Sequence, residues 1–545
     1  MASGNRSDRP NILIILNDDM GYSDIGCYGG EIETPNLNRL AASGLRYSQF
    51  YNTARCSPSR ASLLTGLHPH QTGIGILTYS NGPEGYAGDL NRNCVTIAEV
   101  LKQRDYKTYL SGKWHVAQNL TQPTDAWPLQ RGFDHFYGTI IGAGSFYHPT
   151  TLTRGNENVE HEYQNDSSFF YTDAISDQAV EFIRQHKKES SDKPFFQYVA
   201  YTAPHWPLHA HDEDIAKYKG RFDAGWDKLR EERLQRLVDD GILHPNWKLT
   251  DRDPTQPPFD EAKHREWTLR CMEVYAAQID RMDQGIGRIL KALEETGELD
   301  NTLLIFLSDN GACAEDIPEN VTAQELINLM IAKATTRDGK PVRFGNDPSI
   351  MPGAEDTYQS YGTAWANLSN APFRLYKHWI HEGGIATPFI VHWPKGIVEK
   401  GGLRHSAFQL PDIMATVLDV AGAEYPKEYK GNKILPLEGV SMVPTFSSET
   451  PRNAPLFWEH EGNAAVRVGK WKLVRKYPGD WELYDMELDR TELNDLAAQH
   501  PDRVKEMKAQ YDVWANRCGV IPREKILELM AAQGETAFWE EEKQK

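Results

Sequence analysis

One short segment combines residue types that suit chemistry on an anion. Cys56 offers a thiol, Pro58 a rigid turn and Arg60 a permanent positive charge, all within five residues. The apolar spacing that follows, up to Leu67, can form a helix that holds Cys56 at its positively polarised end. The alternative is a buried thiol before a helix N-cap, since unpaired cysteine often packs as a small apolar residue. That alternative does not account for Arg60.

Oxygen-bearing side chains follow two continuous aliphatic runs, at 12–16 and 302–308. Such runs are typical of strands buried on both faces of a parallel sheet. Oxygen donors without cysteine or imidazole suit Ca²⁺ or Mg²⁺ better than zinc. A single strand that ends in two aspartates is more often a turn or a helix cap, but two such ends together with the Cys56 segment favour a metal site. The candidate ligands are Asp18, Asp19, Asp309 and Asn310.

Three basic or titratable side chains are further candidates for contact with a bound anion. Lys113 and His115 are two residues apart, so in an extended segment they project to the same side. His205 lies just beyond the strand-like run 195–201. Each has an ordinary alternative: an exposed strand end for the first two and a structural histidine for His205. Lys377, taken by itself, would be a surface charge.

Strand-like and helix-like patterns alternate along the chain. Helical segments show apolar residues every three or four positions, whereas the strands are short aliphatic or aromatic runs. This order predicts an α/β fold with a large, mixed but mainly parallel sheet between layers of helices, and a site beyond the carboxyl ends of the strands. The predicted strands are 12–16, 195–201, 302–308 and 388–393, and the predicted helices are 95–104, 173–186 and 266–295.

Two long stretches interrupt the alternation, and the pattern changes again near the C-terminus. Residues 209–263 and 312–370 are candidate walls or lids over the site, because long loops are usually functional; surface insertions without a role are the alternative. Past Pro451, short strand-like pieces precede a helix at about 501–514. We therefore predict a catalytic domain at 1–450 and a smaller α+β domain at 451–545.

The composition indicates which classes of partner are disfavoured and which cellular compartment is expected. The formal net charge is −18, which disfavours binding to nucleic acid or to anionic membrane surfaces. The six cysteines are scattered, as expected for reduced thiols that pack in a core. No apolar segment of signal-peptide or membrane-spanning length is evident. We expect a cytoplasmic protein without a membrane partner, and export is not excluded.

Two motifs carry a resemblance to a known family. The run from Cys56 to Gly66 resembles the type I sulfatase signature C-x-P-S-R-x-x-x-[LT]-[TS]-G, and Gly112-Lys113-Trp114-His115 resembles its second signature. The similarity extends from Pro10 to about Lys395 and is greatest to the soluble bacterial arylsulfatases of the alkaline phosphatase superfamily. It implies an alkaline-phosphatase-like fold and hydrolysis of sulfate esters, with aryl sulfates as the expected small-molecule substrates.

The resemblance also implies a modified residue and a metal ion. A formylglycine-generating maturation enzyme would oxidise Cys56 to formylglycine (3-oxoalanine). A divalent cation, Ca²⁺ with Mg²⁺ as the alternative, would be bound by Asp18, Asp19, Asp309 and Asn310 together with the modified Cys56 side chain.

Roles for the basic residues follow from the same resemblance. Arg60 would steady the hydrated aldehyde and the metal shell, Lys113 and Lys377 would hold sulfate oxygens, His115 would contact the hydrated aldehyde, and His205 would protonate the leaving group. Two other functions stay open at this point. One is a formylglycine-dependent phosphonate monoester or phosphodiester hydrolase, and the other is a non-catalytic anion-binding homologue.

Overall fold

The aliphatic run near the start of the chain forms the centre of the fold. In the computed structural model, which describes residues 9–78, 82–164, 166–318 and 322–532, Asn11–Asn17 is a strand with every residue buried. Its side chains alternate between the two faces of the sheet. Leu13 and Ile15 join one apolar core, whereas Ile12 and Ile14 join the other. The sheet is therefore covered on both sides, as the unbroken aliphatic pattern predicts.

The strands of the described residues form one large sheet and three small ones. In chain order they are β1 (Asn11–Asn17), β2 (Leu45–Tyr51), β3 (Lys107–Gly112), β4 (His135–Thr139), β5 (Leu152–Arg154), β6 (Glu157–Asn158), β7 (Phe195–Ala200), β8 (Thr302–Ser308), β9 (Arg343–Phe344), β10 (Thr357–Tyr358), β11 (Ala386–His392), β12 (Gly402–Arg404), β13 (Phe408–Gln409), β14 (Glu428–Tyr429), β15 (Asn432–Lys433), β16 (Leu456–His460), β17 (Asn463–Val468), β18 (Trp471–Arg475) and β19 (Trp481–Asp485). The large sheet has the order β12-β2-β11-β8-β1-β7-β3-β4-β5-β6, with β13 also paired to β2. Its central strands β8, β1, β7, β3 and β4 are parallel, while β11 runs antiparallel to both β2 and β8. The mixed, mainly parallel sheet is as predicted.

Helices cover both faces of this sheet. They are α1 (Pro35–Ser43), α2 (Cys56–Thr65), α3 (Pro69–Thr72), α4 (Ile97–Lys102), α5 (His161–Gln164), α6 (Tyr171–Glu189), α7 (Asp212–Ala216), α8 (Gly225–Asp239), α9 (Arg265–Glu295), α10 (Ala323–Asn328), α11 (Gly362–Ser369), α12 (Glu382–Ile385), α13 (Pro411–Ala421), α14 (Pro501–Cys518) and α15 (Arg523–Ala532). Buried residues of α1, α6 and α9 belong to one core, and those of α2, α4 and α13 to the other. None of the helices within the described ranges is both long enough and apolar enough to cross a bilayer.

The C-terminal part forms a separate antiparallel sheet, β16-β17-β18-β19. One face packs against α14, with Val466 and Leu473 near Trp514. The other face contributes Trp458 and Ala465 to the core of the large sheet. The predicted α+β character of this region is confirmed, and the boundary between residues 450 and 451 stays a prediction.

Helix α8 was missed because its buried face is not apolar throughout. Residues 209–263 were predicted to interrupt the alternation of strands and helices, yet α8 spans fifteen of them. Its buried residues include Arg230 and Arg233. The guanidinium of Arg233 donates to Asp24 at 2.8 Å and also pairs with Glu31. Buried charges are tolerated when they are paired in this way, so the helix faces the core without the expected apolar stripe.

Candidate active site

Four neighbouring parallel strands deliver polar residues to one edge of the large sheet. β8, β1, β7 and β3 are adjacent in that order, and their carboxyl ends lead into Asn310, Asp19, His205 and Lys113 respectively. All four side chains are buried. The carboxyl edge of a parallel sheet is the usual place for a ligand site in α/β folds, and the structure places the strand-end candidates there.

The four predicted metal ligands lie together in this edge. Asn310 Nδ2 donates to Asp19 Oδ1 at 2.6 Å, and the Asp19 amide donates to Asp309 Oδ1 at 3.3 Å. Asp18 Oδ1 and Asn310 Oδ1 are buried, and neither accepts a hydrogen bond from any described residue. Buried oxygens without partners are costly, and a divalent cation would satisfy them. The donor set, three carboxylates and an amide oxygen, fits Ca²⁺ or Mg²⁺.

Charge repulsion among these carboxylates also favours a bound cation. Burial and the adjacent Asp18 carboxylate raise the pKa of Asp309 to about 7, although Arg60 opposes the shift. At Asp19 burial also favours the neutral form, but His205 and Lys377 outweigh it and lower the pKa to about 2. A cation bound among these oxygens would stabilise the ionised form of Asp309.

Both predicted anion-binding lysines contact these carboxylates. Lys113 Nζ donates to Asp18 Oδ2 at 2.6 Å, and Lys377 Nζ donates to Asp19 Oδ2 at 2.9 Å. Lys377 Nζ also lies 3.3 Å from His205 Nε2. The two ammonium groups therefore flank the metal-ligand cluster from different elements, one after β3 and one in the loop before α12.

The predicted nucleophile lies at the start of α2, as the sequence indicates. The helix begins at Cys56, and the preceding Arg55 has an extended backbone. Arg60, one turn further, is fully buried and donates to Asp309 Oδ2 and to the carbonyl of Lys113. Cys56 is 3% exposed and interacts electrostatically with Arg60. Arg60 thus connects the Cys56 helix to the ends of β8 and β3.

The backbone around His115 differs from the extended segment that the sequence predicts. Strand β3 ends at Gly112, and His115 has a left-handed backbone with φ 54°. The explanation by alternation along an extended segment is therefore wrong. A Cβ atom at Gly142 would lie 2.1 Å from Cε1 of the His115 ring, so glycine is needed for the ring to pack there. Burial and the charges of Lys113 and Arg60 lower the pKa of His115 well below its usual value.

His205 has a defined orientation. Its Nδ1 atom lies 2.7 Å from the carbonyl of Trp206, to which it donates, and Nε2 lies 3.3 Å from Asp19 Oδ2. Burial lowers the pKa of His205 to about 4, and the Asp19 carboxylate offsets only part of this shift. The Nε2 atom therefore faces the cluster as a hydrogen-bond acceptor in the free site.

Two charged residues at the site were missed by the sequence reasoning. Arg55 and Glu315 form an ion pair at 2.7 Å beside Lys377. The proximity of Arg55 to Cys56, and of Glu315 to the Asp309 strand end, was the available signal. Both residues and Lys377 line a cavity of about 820 Å³. Its walls also include parts of both long stretches and of the C-terminal region, as expected if those stretches border the site.

Comparison with known proteins agrees with this geometry. The family described as Sulfatase matches residues 10–423, and the family described as N-sulphoglucosamine sulphohydrolase, C-terminal, matches residues 373–514. The chain is 34% identical to an arylsulfatase of Klebsiella aerogenes, covering 81% of this chain and 93% of that protein. It is 32% identical to an uncharacterized sulfatase of Schizosaccharomyces pombe, covering 94% and 95% respectively.

A solved structure supports the same assignment. That of Ps i-CgsB in complex with k-i-k-neocarrahexaose is similar with a TM-score of 0.64 at 25% identity, covering 93% of each chain. The architecture is alkaline-phosphatase-like. Two findings assign the family. The family match covers residues 10–423, and two relatives are more than 30% identical over most of their length. The chain belongs to the sulfatase family.

Proposed function

We propose that this enzyme hydrolyses aryl sulfate esters to a phenol and inorganic sulfate, using a formylglycine derived from Cys56 and a bound divalent cation. One observation carries the proposal. Buried oxygen donors from β1 and β8, two lysines and the positive end of the Cys56 helix meet at one edge of the sheet. This arrangement combines a cation site with an anion site, as transfer of a sulfuryl group requires.

Oxidation of Cys56 to an aldehyde solves a chemical problem. A serine alcohol could accept the sulfuryl group, but the enzyme-bound ester would then need attack by water at sulfur. The hydrated aldehyde has two hydroxyl groups on one carbon. One hydroxyl oxygen forms the new S–O bond while the bond from sulfur to the leaving oxygen breaks. Deprotonation of the other hydroxyl then re-forms the C=O bond and expels sulfate with its electron pair.

The chain's own residues have distinct tasks in this scheme. Lys113 and Lys377 hold sulfate oxygens. Arg60, which lies on α2, fixes the position of the Asp309 carboxylate relative to this helix. His115 contacts the hydrated aldehyde and assists its collapse. His205 gives a proton from Nε2 to the leaving oxygen, and the negative charge of the bound ester favours protonation of that nitrogen.

The cation would be held by Asp18, Asp19, Asp309 and Asn310. We propose Ca²⁺ because all of these donors are hard oxygens, with Mg²⁺ as the alternative. When bound, such an ion acts as a Lewis acid and lowers the pKa of a hydroxyl group on the hydrated aldehyde.

The phenol half would occupy the 820 Å³ cavity beside Lys377. Aromatic side chains of Tyr376, Trp379 and Tyr477 line it and could contact an aryl ring. The alternative function, hydrolysis of phosphonate monoesters or phosphodiesters, uses the same nucleophile and metal. The two families of substrate differ in the charge and shape of the transferred group, which Lys113 and Lys377 would contact.

Parallel rate measurements test the proposal. Protein produced together with a formylglycine-generating enzyme is expected to carry formylglycine at Cys56, seen by peptide mass spectrometry, and to prefer 4-nitrophenyl sulfate over 4-nitrophenyl phenylphosphonate. Cys56→Ala should fold normally and lose turnover. A large preference for the phosphonate would favour the alternative hydrolase, and an unmodified thiol at Cys56 in protein from its native host would favour a binding protein.

A further inference from the structure

Glu315 is a partly buried carboxylate with partners in three segments of the site. Its Oε1 atom accepts a hydrogen bond from Arg55 at 2.7 Å, and its Oε2 atom accepts one from the indole Nε1 of Trp206 at 3.1 Å. Lys377 Nζ lies 3.7 Å from Oε2. The Glu315 side chain is 16% exposed. Each carboxylate oxygen thus faces a different part of the site.

The partners of Glu315 are adjacent to groups with proposed chemical roles. Arg55 directly precedes Cys56, at the residue where α2 begins. Trp206 directly follows His205, and its carbonyl accepts the Nδ1 hydrogen bond that orients the imidazole. A displacement of the Trp206 indole would therefore move the peptide that orients His205.

The charge of Glu315 also fits an orienting role. Burial opposes its ionisation, but Lys377 and Arg55 hold the pKa of Glu315 well below its usual value. The Lys377 ammonium consequently lies between two carboxylates, Asp19 at 2.9 Å and Glu315 at 3.7 Å. Opposing attractions of this kind limit the positions that the flexible lysine side chain can take.

We propose that Glu315 is a positioning residue for sulfate ester hydrolysis, which orients His205 through the Trp206 indole and restrains Lys377. The proposal rests on the function given above and assigns Glu315 no contact with the reacting atoms. Two other roles would give different kinetics. A carboxylate that only stabilises the fold would affect all substrates equally, and a wall residue that binds the leaving group would change KM and leave kcat unchanged.

Glu315→Gln tests this role because it keeps the shape and removes the charge and one acceptor oxygen. The measurements are kcat and KM for aryl sulfates with leaving groups of graded pKa, on protein whose formylglycine content is quantified by mass spectrometry. We expect kcat to fall about 10- to 100-fold, the range seen when groups that orient catalytic ligands are changed. The fall should be largest for poor leaving groups, which need most proton assistance from His205. Glu315→Asp, which keeps the charge, should recover part of the lost rate.

A matched control and a double variant separate the possible results. Glu181→Gln changes an exposed glutamate on α6 in the same way and should leave the kinetics unchanged. Trp206→Phe removes the indole donor that contacts Glu315. If Glu315 acts through this hydrogen bond, the two effects should not multiply. With poor leaving groups, the fold-decrease in kcat of the double variant should be smaller than the product of the fold-decreases of the two single variants.

Several outcomes would overturn the proposal. Losses that are equal across the leaving-group series, losses that multiply in the double variant, or a change confined to KM would each assign Glu315 a different role. The rate of the wild-type protein shows whether a negative result contradicts the proposed function or only the role of Glu315. An inactive, fully matured wild type would overturn the proposed function and this inference together, whereas an active wild type matched by Glu315→Gln would overturn the inference alone.

Discussion

Arg60 and Asp309 form a buried ion pair in which two guanidinium nitrogens donate to the same carboxylate oxygen. Nη2 and Nε of Arg60 lie 2.8 and 3.1 Å from Asp309 Oδ2, and both side chains are fully buried. The other Asp309 oxygen accepts the Asp19 amide. The pair joins the helix that begins at Cys56 to the candidate metal-ligand cluster, so changes at Arg60 should affect both stability and the proposed cation binding.

Arg60→Met should destabilise the fold because it leaves a buried carboxylate without its partner. In the presence of a chelator we expect a loss of about 3–5 kcal/mol in the free energy of unfolding, measured by urea denaturation. Arg39→Met is the matched control: Arg39 pairs with Glu294 at the surface, where such pairs contribute about 0–1 kcal/mol. Similar losses in the two variants would contradict the importance of the buried pair.

Removal of divalent cations should lower both activity and thermal stability. Chelation leaves Asp18 Oδ1 and Asn310 Oδ1 unsatisfied, and Ca²⁺ at 100 times its dissociation constant would restore about 2.7 kcal/mol of stability. Scanning calorimetry and turnover with chelator, Ca²⁺ or Mg²⁺ would measure the effect. Asp18→Asn should reduce the response, whereas Asp192→Asn at the surface should not. A melting temperature that is indifferent to chelator and to added cation would argue against the site.

His205→Ala should slow poor leaving groups more than good ones. General acid assistance contributes about 100- to 10,000-fold in typical enzymes, and a 4-nitrophenolate leaves readily without it. The measurement is the dependence of kcat/KM on the pKa of the leaving phenol, which should become steeper in the variant. Equal losses along the series would remove the acid role from His205.

Acid should weaken the contact between the C-terminal sheet and the catalytic region. Glu382, at the start of α12, is fully buried and pairs with Lys472 of β18 at 2.9 Å and with Arg490 at 2.8 Å. Burial raises the pKa of Glu382, but these cations outweigh it and lower the pKa to about 2. Its folded pKa is therefore below the unfolded value of about 4.5. The stabilisation is present above pH 4.5 and is lost as the pH falls towards 2.

Urea denaturation of wild type and Glu382→Gln between pH 2 and 7 would measure this contribution. The stability difference between the two should shrink as the pH falls from about 4.5 towards 2. Lys472→Met should also lower stability at neutral pH, since it removes one of the two cations that pair with the buried Glu382 carboxylate. A difference that stays constant with pH would show that Glu382 does not contribute in this way.

Much of the site was predictable because its residues follow recognisable local patterns. β8 spans 302–308 as predicted, and the helix predicted at 266–295 differs from α9 by one residue. Runs of this kind are long or strongly apolar, so local spacing is enough to identify them. The strand-end acids follow directly from two such runs.

Other features depended on contacts between distant residues. Nothing in the local sequence of α8 indicates that Arg233 is buried. Its burial depends on Asp24, which supplies the opposite charge from another part of the chain. The position of His115 depends on the absence of a side chain at Gly142. Glu315 is one carboxylate among many in the sequence, and only its proximity to Arg55 and Trp206 gives it a place in the site.

By itself, the sequence determined the chemistry that is possible: a thiol at a helix start, hard oxygen donors at strand ends, and lysines and histidines beyond other strands. Spacing along a chain specifies which residue types are present and which local elements form. Only the tertiary structure decided which charges meet, that both lysines contact carboxylates of the candidate metal site, and that Glu315 links three segments. The reason is physical, since ion pairs and hydrogen bonds depend on distances of a few ångströms that sheet order and packing set.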